Sequence, residues 1–292
     1  MKPAPFEYVA ARSLDEALGA LAAAGEGGKV LAGGQSLVPL LALRLARPDV
    51  LVDVNQVPGL DHVVVDDHRL VIGALARHRA IELDAQVRRG FPLVSAAAAK
   101  IGHVAIRNRG TVGGSVAHAD PAAEWPALLL ALDGEVEVAS PRGRRVVRAD
   151  DLYAGYLTTT LEADEVVCEV RATLPEGRTG TSFLELARRE GDFAIVGVAA
   201  VLALEGDEVR RCRLALSGVG STPVRARGAE EQLTGGVADA AAIAAAARTV
   251  AEEIDPPGDI HGSADYRRKV AEVLVRRALV AAREESERVV AR

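Results

Sequence analysis

Apolar positions along this chain switch between a spacing of three to four residues and strict alternation, and the switches mark its elements. A capping box, Ser13 with Glu16 three positions on, opens a helix predicted to run through about Ala24, where Gly25, Gly27 and Gly28 stop it. A short buried strand at residues 30–32, a Gly33–Gly34 turn, a helix over about 37–45 and a strand over 48–54 follow. Residues 1–56 therefore read as a small α/β unit. Alternation over 62–74 predicts a hairpin turning at Asp66–Asp67, and helices are expected at 76–84, at 92–101 with Pro92 in the first turn, and at 122–132. Residues 102–121 read as too rich in glycine and polar side chains for helix. A second hairpin over 135–148 turns at Pro141 and Gly143.

Residues 57–174 thus form a second unit, of α+β type. Beyond a boundary near Pro175–Gly177, residues 178–189 and 194–220 read as three strands, with a tight turn over 205–208. Helices are expected over 222–233, 237–254 and 263–289. Residues 175–292 therefore read as a third unit, a three-stranded antiparallel sheet plus helices. Strands grouped apart from helices are the α+β signature.

Composition narrows the function classes. The formal net charge of −6 and an aromatic content of 3% speak against a nucleic-acid surface, which needs clustered basic residues or stacking rings. No stretch approaches the apolar length of an integral membrane segment, the first 18 residues lack the apolar region of a signal peptide, and two cysteines read as free thiols make the cytoplasm the expected compartment. Cys168 and Cys212 are the only cysteines and lie in strand patterns, as buried thiols do; two thiolates cannot hold an iron–sulfur cluster. The six histidines show no zinc-binding spacing, so no metal site is expected.

The candidate chemistry lies in two glycine segments. "KVLAGGQSLV" (29–38) sets a glycine pair between strand and helix, and "GTVGGSVAHADP" (110–121) repeats the pair. Glycine allows close approach and positive φ, and such a turn leaves backbone N–H groups free for an anion. Two facing nests would suit the pyrophosphate of a dinucleotide. Neither segment is a complete GxGxxG, and Asp53 is the one acidic residue placed to hold a nicotinamide ribose.

The two segments, with "SFLELARREGDFAIVGVAA" (182–200), resemble the FAD-binding medium subunit of molybdenum hydroxylases: the medium chain of carbon-monoxide-dehydrogenase-type enzymes and the flavin subunit of xanthine dehydrogenase. The resemblance covers nearly the whole chain. It implies a two-subdomain fold of the vanillyl-alcohol-oxidase type, with FAD between residues 1–56 and 57–174, then the C-terminal α+β domain. It places Lys29, Val30, Leu31, Ala32, Gly33, Gly34, Gln35 and Ser36 around one side of the FAD pyrophosphate, and Thr111, Gly113, Gly114 and Ser115 in the second loop. Ile101 and Gly102 match positions beside the adenine portion. His118, Asp120 and Glu124 match polar contacts to the cofactor, Val167 an apolar contact, and Phe193 a position over the flavin ring where relatives have Tyr. Gln35 replaces the His or Asn of many relatives, Ser115 their Asn, and Leu184 the Lys of xanthine dehydrogenases.

The implied role is electron transfer. A partner subunit with iron–sulfur clusters delivers electrons to FAD, an external acceptor removes them, and a large molybdopterin subunit oxidises the substrate, in a dimer of heterotrimers. No catalytic acid or base is expected in this chain. A stand-alone flavin oxidoreductase, a nicotinamide reductase using Asp53, and a scaffold without flavin are the alternatives.

Overall fold

The computed structural model describes residues 2–289. The first unit is β1 (Glu7–Ala10), α1 (Leu14–Ala24), β2 (Gly28–Leu31), α2 (Leu37–Ala42) and β3 (Val50–Asp53), with all strands parallel in the order β1-β3-β2. Ser13 caps α1 by accepting from the Glu16 amide at 3.1 Å, and the Glu16 carboxylate accepts from the Arg12 amide. Ala17, Leu18 and Leu21 of that helix pack on Val52 of the central strand.

The second unit has strands β4 (Val63–Asp66), β5 (Arg69–Gly73), β6 (Glu135–Ser140), β7 (Gly143–Arg148) and β10 (Val166–Thr173), ordered β4-β5-β10-β6-β7 in one antiparallel sheet. Its helices are α3 (His78–Leu83), α4 (Ala85–Gly90), α5 (Pro92–Ala98), α6 (Val104–Arg107), α7 (Val112–His118), α8 (Glu124–Ala131) and α9 (Ala149–Leu152). The small pair β8 (Tyr153–Gly155) and β9 (Thr158–Thr159) completes it.

Two helices, α6 and α7, occupy the stretch expected to be irregular. Glycine in a helix interior costs about 1 kcal/mol against alanine. The cost is offset because Val112 and Val116 are fully buried and Thr111 caps the helix, accepting from the Gly114 amide at 3.2 Å. Gly113 is required for a tertiary reason: a Cβ there would lie 2.5 Å from the Cβ of Ala74.

The third unit is β11 (Arg178–Leu186), β12 (Val196–Glu205), β13 (Glu208–Ser217), β14 (Val224–Arg225), α10 (Arg227–Leu233), α11 (Ala240–Glu253) and α12 (Ala264–Val289). The three strands expected from sequence are joined by a fourth, two-residue strand, β14, at the start of the stretch read as helical. All but the last residue of β12 are buried, because both of its faces are covered. Val198, Ala200 and Leu202 face the core under α11 and α12, while Ala199 and Val201 belong to the core that contains α8. Every residue of α8 is buried, which accounts for its apolar run.

Ion pairs join the second and third units. Asp133 accepts from Arg213 at 3.0 Å and Arg225 at 2.8 Å, and Arg225 also pairs with buried Glu230 at 3.0 Å. No helix among the described residues is long and apolar enough to cross a membrane.

Candidate cofactor site

The turn after β2 is shaped by its glycines. Gly34 has φ +70°, and a Cβ on Gly33 would lie 2.4 Å from the carbonyl oxygen of Arg109. The first glycine segment therefore rests directly on the lead-in to the second. A Cβ on Gly114 would lie 3.8 Å from that of Ala32. The two segments, about eighty residues apart in sequence, meet as the paired-loop reading expected.

Their hydrogen bonding differs. Among the described residues, none of the five amides from Gly33 to Leu37 donates a hydrogen bond; the next, Val38, donates to Gly34. Gln35 folds its side chain back and donates from Nε2 to the Gly33 carbonyl at 2.9 Å. In the second segment the amides are already engaged: Val112 to Ala76, Gly113 to Ala74, Gly114 to the Thr111 hydroxyl and Ser115 to the Thr111 carbonyl. The second glycine pair lies inside α7 with Gly113 against Ala74 and Gly114 turned toward Ala32, so its contribution is close approach at Gly114, not a second open nest. Ser36 and Ser115 are half-buried.

The other expected residues form two groups. Lys29, exposed on β2, lies near His118 at the end of α7; burial first, then Lys29, holds the His118 imidazole below its ordinary value, while Asp120 opposes the shift. Asp120 accepts from the Ala122 amide at 2.9 Å, and this turn leads into Glu124. Ile101 and Gly102 lie instead against the 187–194 loop: a Cβ on Gly191 would meet the Gly102 carbonyl oxygen at 2.7 Å. Phe193, in that loop, is 65% exposed. Val167 is buried on β10 opposite Val138, within the sheet core.

Arg107, beside the second loop, is buried. It pairs with Glu82 at 2.8 Å and donates to the Ile101 and Gly102 carbonyls at 3.2 and 2.9 Å. Asp53 does not present a free carboxylate to a ribose; it accepts from the Tyr8 hydroxyl at 2.6 Å and from Asn55. Sequence reasoning missed Asn55, Arg77, His78 and Glu185. Arg77 and His78 sit in a stretch read only as a short helix, yet the His78 amide donates to the Gly110 carbonyl and its imidazole accepts from buried Trp125 at 3.1 Å. Burial drives the His78 pKa down to about 4, so the ring is neutral, as that acceptor role requires.

Comparison with known families decides the class. Residues 4–175, more than half the chain, match the family described as the FAD binding domain in molybdopterin dehydrogenase. The chain belongs to this family. Residues 181–282 of the flavoprotein match the CO dehydrogenase flavoprotein C-terminal domain. It is 43% identical over 284 residues to the 6-hydroxypseudooxynicotine dehydrogenase complex subunit alpha of Paenarthrobacter nicotinovorans, covering 97% of this chain and 96% of that protein. It is 37% identical over 282 residues to the carbon monoxide dehydrogenase medium chain of Hydrogenophaga pseudoflava, covering 97% and 98%. The solved carbon monoxide dehydrogenase from the same organism, which lacks the Mo-pyranopterin moiety of the molybdenum cofactor, matches with a TM-score of 0.95 at 38% identity, over 98% of this chain and 99% of that one. The resemblance read from the glycine segments and the fold class it implied are borne out; the flavoprotein is an oxidoreductase subunit with FAD as its cofactor.

The donor set fits that cofactor. Five consecutive free amides facing Gly114 are suited to an anionic diphosphate, since amides are neutral donors and glycine allows phosphate oxygens to approach the backbone.

Glu124 brings a titration into the flavoprotein. Its carboxyl is buried, and burial, reinforced by Glu185, raises its pKa from 4.5 to about 8. Burial raises Glu185 to about 7, with Lys100 opposing; its Oε2 is buried without a hydrogen-bond partner. A carboxyl raised in the fold keeps its proton to higher pH than in the unfolded chain. The stability that this proton confers on the FAD-free chain is fully present below about 4.5 and is lost as pH rises through about 8. Glu124→Gln is expected to flatten this decline, giving a higher thermal midpoint than the parent at pH above 8 and little difference at pH 5. Parallel pH profiles for the two chains would contradict the assignment.

Proposed function

We propose that this chain is the FAD-bearing electron-transfer subunit of a multi-subunit molybdenum hydroxylase. It works between a small iron–sulfur subunit, which delivers electrons, and an external acceptor, which removes them. A large molybdopterin subunit oxidises the substrate, and the assembly is a dimer of heterotrimers in the cytoplasm. The run of unbonded amides at 33–37 against the glycines of α7 carries this reading, together with relatives named as medium chains or complex subunits of dehydrogenases. When bound, FAD supplies reversible redox chemistry.

The protein's part is to bind and orient. In this reading Lys29, Val30, Leu31, Ala32, Gly33, Gly34, Gln35 and Ser36 hold one side of the diphosphate, with Thr111, Gly113, Gly114 and Ser115 opposite. His118, Asp120 and Glu124 supply polar contacts beyond them, and Val167 an apolar one. Ile101, Gly102 and Phe193 are assigned to the flavin-ring end, which moves Ile101 and Gly102 from the adenine portion that the resemblance implied, because the 101–102 turn touches the 187–194 loop that carries Phe193. Phe193, exposed in the isolated chain, covers the ring and restricts water. FAD lies between residues 1–56 and 57–174, followed by the 175–292 domain.

The test separates the electron-transfer reading from the alternatives. Flavin-loaded chain alone is expected to oxidise none of the N-heterocycles, aldehydes or carbon monoxide used by such complexes, but to be reduced when a reduced two-iron two-sulfur partner is added. Substrate turnover by the isolated chain would establish a stand-alone oxidase, and a chain that takes up no flavin would establish a scaffold.

A further inference from the structure

A ladder of polar side chains links the two glycine segments from outside. Asn55 donates from Nδ2 to the Ala32 carbonyl at 2.7 Å and accepts at Oδ1 from Arg77 Nη2 at 2.8 Å. Arg77 Nη1 donates to the Arg109 carbonyl, the group on which Gly33 rests. The ladder is anchored at its other end. Asp53 accepts from both the backbone and side-chain amides of Asn55, at 2.8 and 2.7 Å, and from the Tyr8 hydroxyl. The backbone around Arg77 pairs with the second segment as well, through His78 to Gly110 and Val112 to Ala76.

We propose that Asn55 and Arg77 form a bridge that fixes the gap between the 32–36 turn and the 109–111 segment, and so sets how tightly the FAD diphosphate is held. The inference rests on the proposed placement of the diphosphate. Asn55 and Arg77 are positioning residues: they spend their polar groups on backbone carbonyls, on Asp53 and on each other. A guanidinium bound to two acceptors in one plane holds their separation, which a flexible ammonium does not. The bridge borders a cavity of about 360 Å³ lined also by Gln56 and Asp61. Truncation there widens an existing space instead of opening a void in the core, so the variants are expected to fold.

The measurement is the FAD dissociation constant of the full chain, read from flavin fluorescence, for Arg77→Met, Asn55→Ala and the double variant. Each single change is expected to weaken FAD binding about tenfold or more, as the loss of hydrogen bonds to a charged group does. The double variant is expected to be hardly weaker than the worse single one, because either change breaks the same bridge. Asn55→Ala leaves the Arg77 charge in place, so its effect separates bridging from simple attraction of phosphate. Thermal midpoints of the flavin-free chains are expected within about 3 °C of the parent.

Undiminished affinity in either single variant overturns the bridge, as do fully multiplicative effects in the double variant or midpoints that fall in step with affinity. Gly34→Asp is measured alongside. If it binds FAD normally, the diphosphate placement itself is wrong; if it does not, while Arg77→Met binds normally, the placement stands and only the bridge fails.

Discussion

Aspartate in place of Gly34 is expected to give a folded chain that purifies without the yellow of bound flavin. Position 34 has φ +70°, a region that aspartate enters more easily than most residues, at a strain of about 1 kcal/mol. A Cβ there would meet only the side chains of Val38 and Leu31, at 3.1 and 3.3 Å, and both can give a little. The fold therefore survives. The carboxylate enters the run of free amides, where a phosphate oxygen about 4 Å away is repelled by roughly 4 kcal/mol at an effective dielectric of about 20. That corresponds to a loss of about a thousandfold in affinity. Visible absorbance and FAD titration report it, and Gly34→Ala, with the strain but no charge, should retain much of the binding. A Gly34→Asp chain as yellow as its parent would remove the amide run from the site.

Gly180→Ala is expected to cause the largest loss of stability. A Cβ at position 180 would lie 1.8 Å from the carbonyl oxygen of Ala282 and 2.5 Å from the Ser286 amide, both backbone atoms of α12. No rotamer relieves such a contact; helix and strand must move apart by more than 1 Å. The same stretch of α12 anchors the strand, since Glu285 accepts from the Thr181 hydroxyl at 2.9 Å and Arg178 donates to the Ser286 carbonyl. Overpacking of this kind costs 1–3 kcal/mol where side chains can adjust, so roughly 3 kcal/mol or more is expected here, about 6–12 °C in thermal midpoint. Urea and thermal unfolding measure it. A change below about 1 kcal/mol would mean that α12 sits less tightly on β11 than the geometry says.

What the sequence disclosed followed the range of the interactions involved. The first glycine turn was legible because strand, glycine pair and helix are adjacent, and each announces itself by spacing or by a breaker. The α1 cap was legible because Ser13 and Glu16 are three residues apart. The helix α7 was not, since glycine argues locally against helix. What requires Gly113 is Ala74, far off in sequence, and no local pattern reports that contact. Asn55 and Arg77 were missed for the same reason: their importance lies in the carbonyls of Ala32 and Arg109, tens of residues away. Arg107 illustrates the converse, a charge beside a glycine loop that fits phosphate by composition yet is consumed by Glu82 and two carbonyls. The burial of Glu124, on a helix covered by β12 and β13, lay beyond any motif, although the resemblance implies a role for the residue.

The double coverage of β12 has a consequence for anyone dividing the polypeptide. Because α8 is inserted by one half and clasped by the sheet of the other, severing the backbone between β10 and β11 would produce two fragments, each with a raw greasy surface shaped for its counterpart. Such halves belong together as complementing pieces rather than as modules to be swapped among relatives.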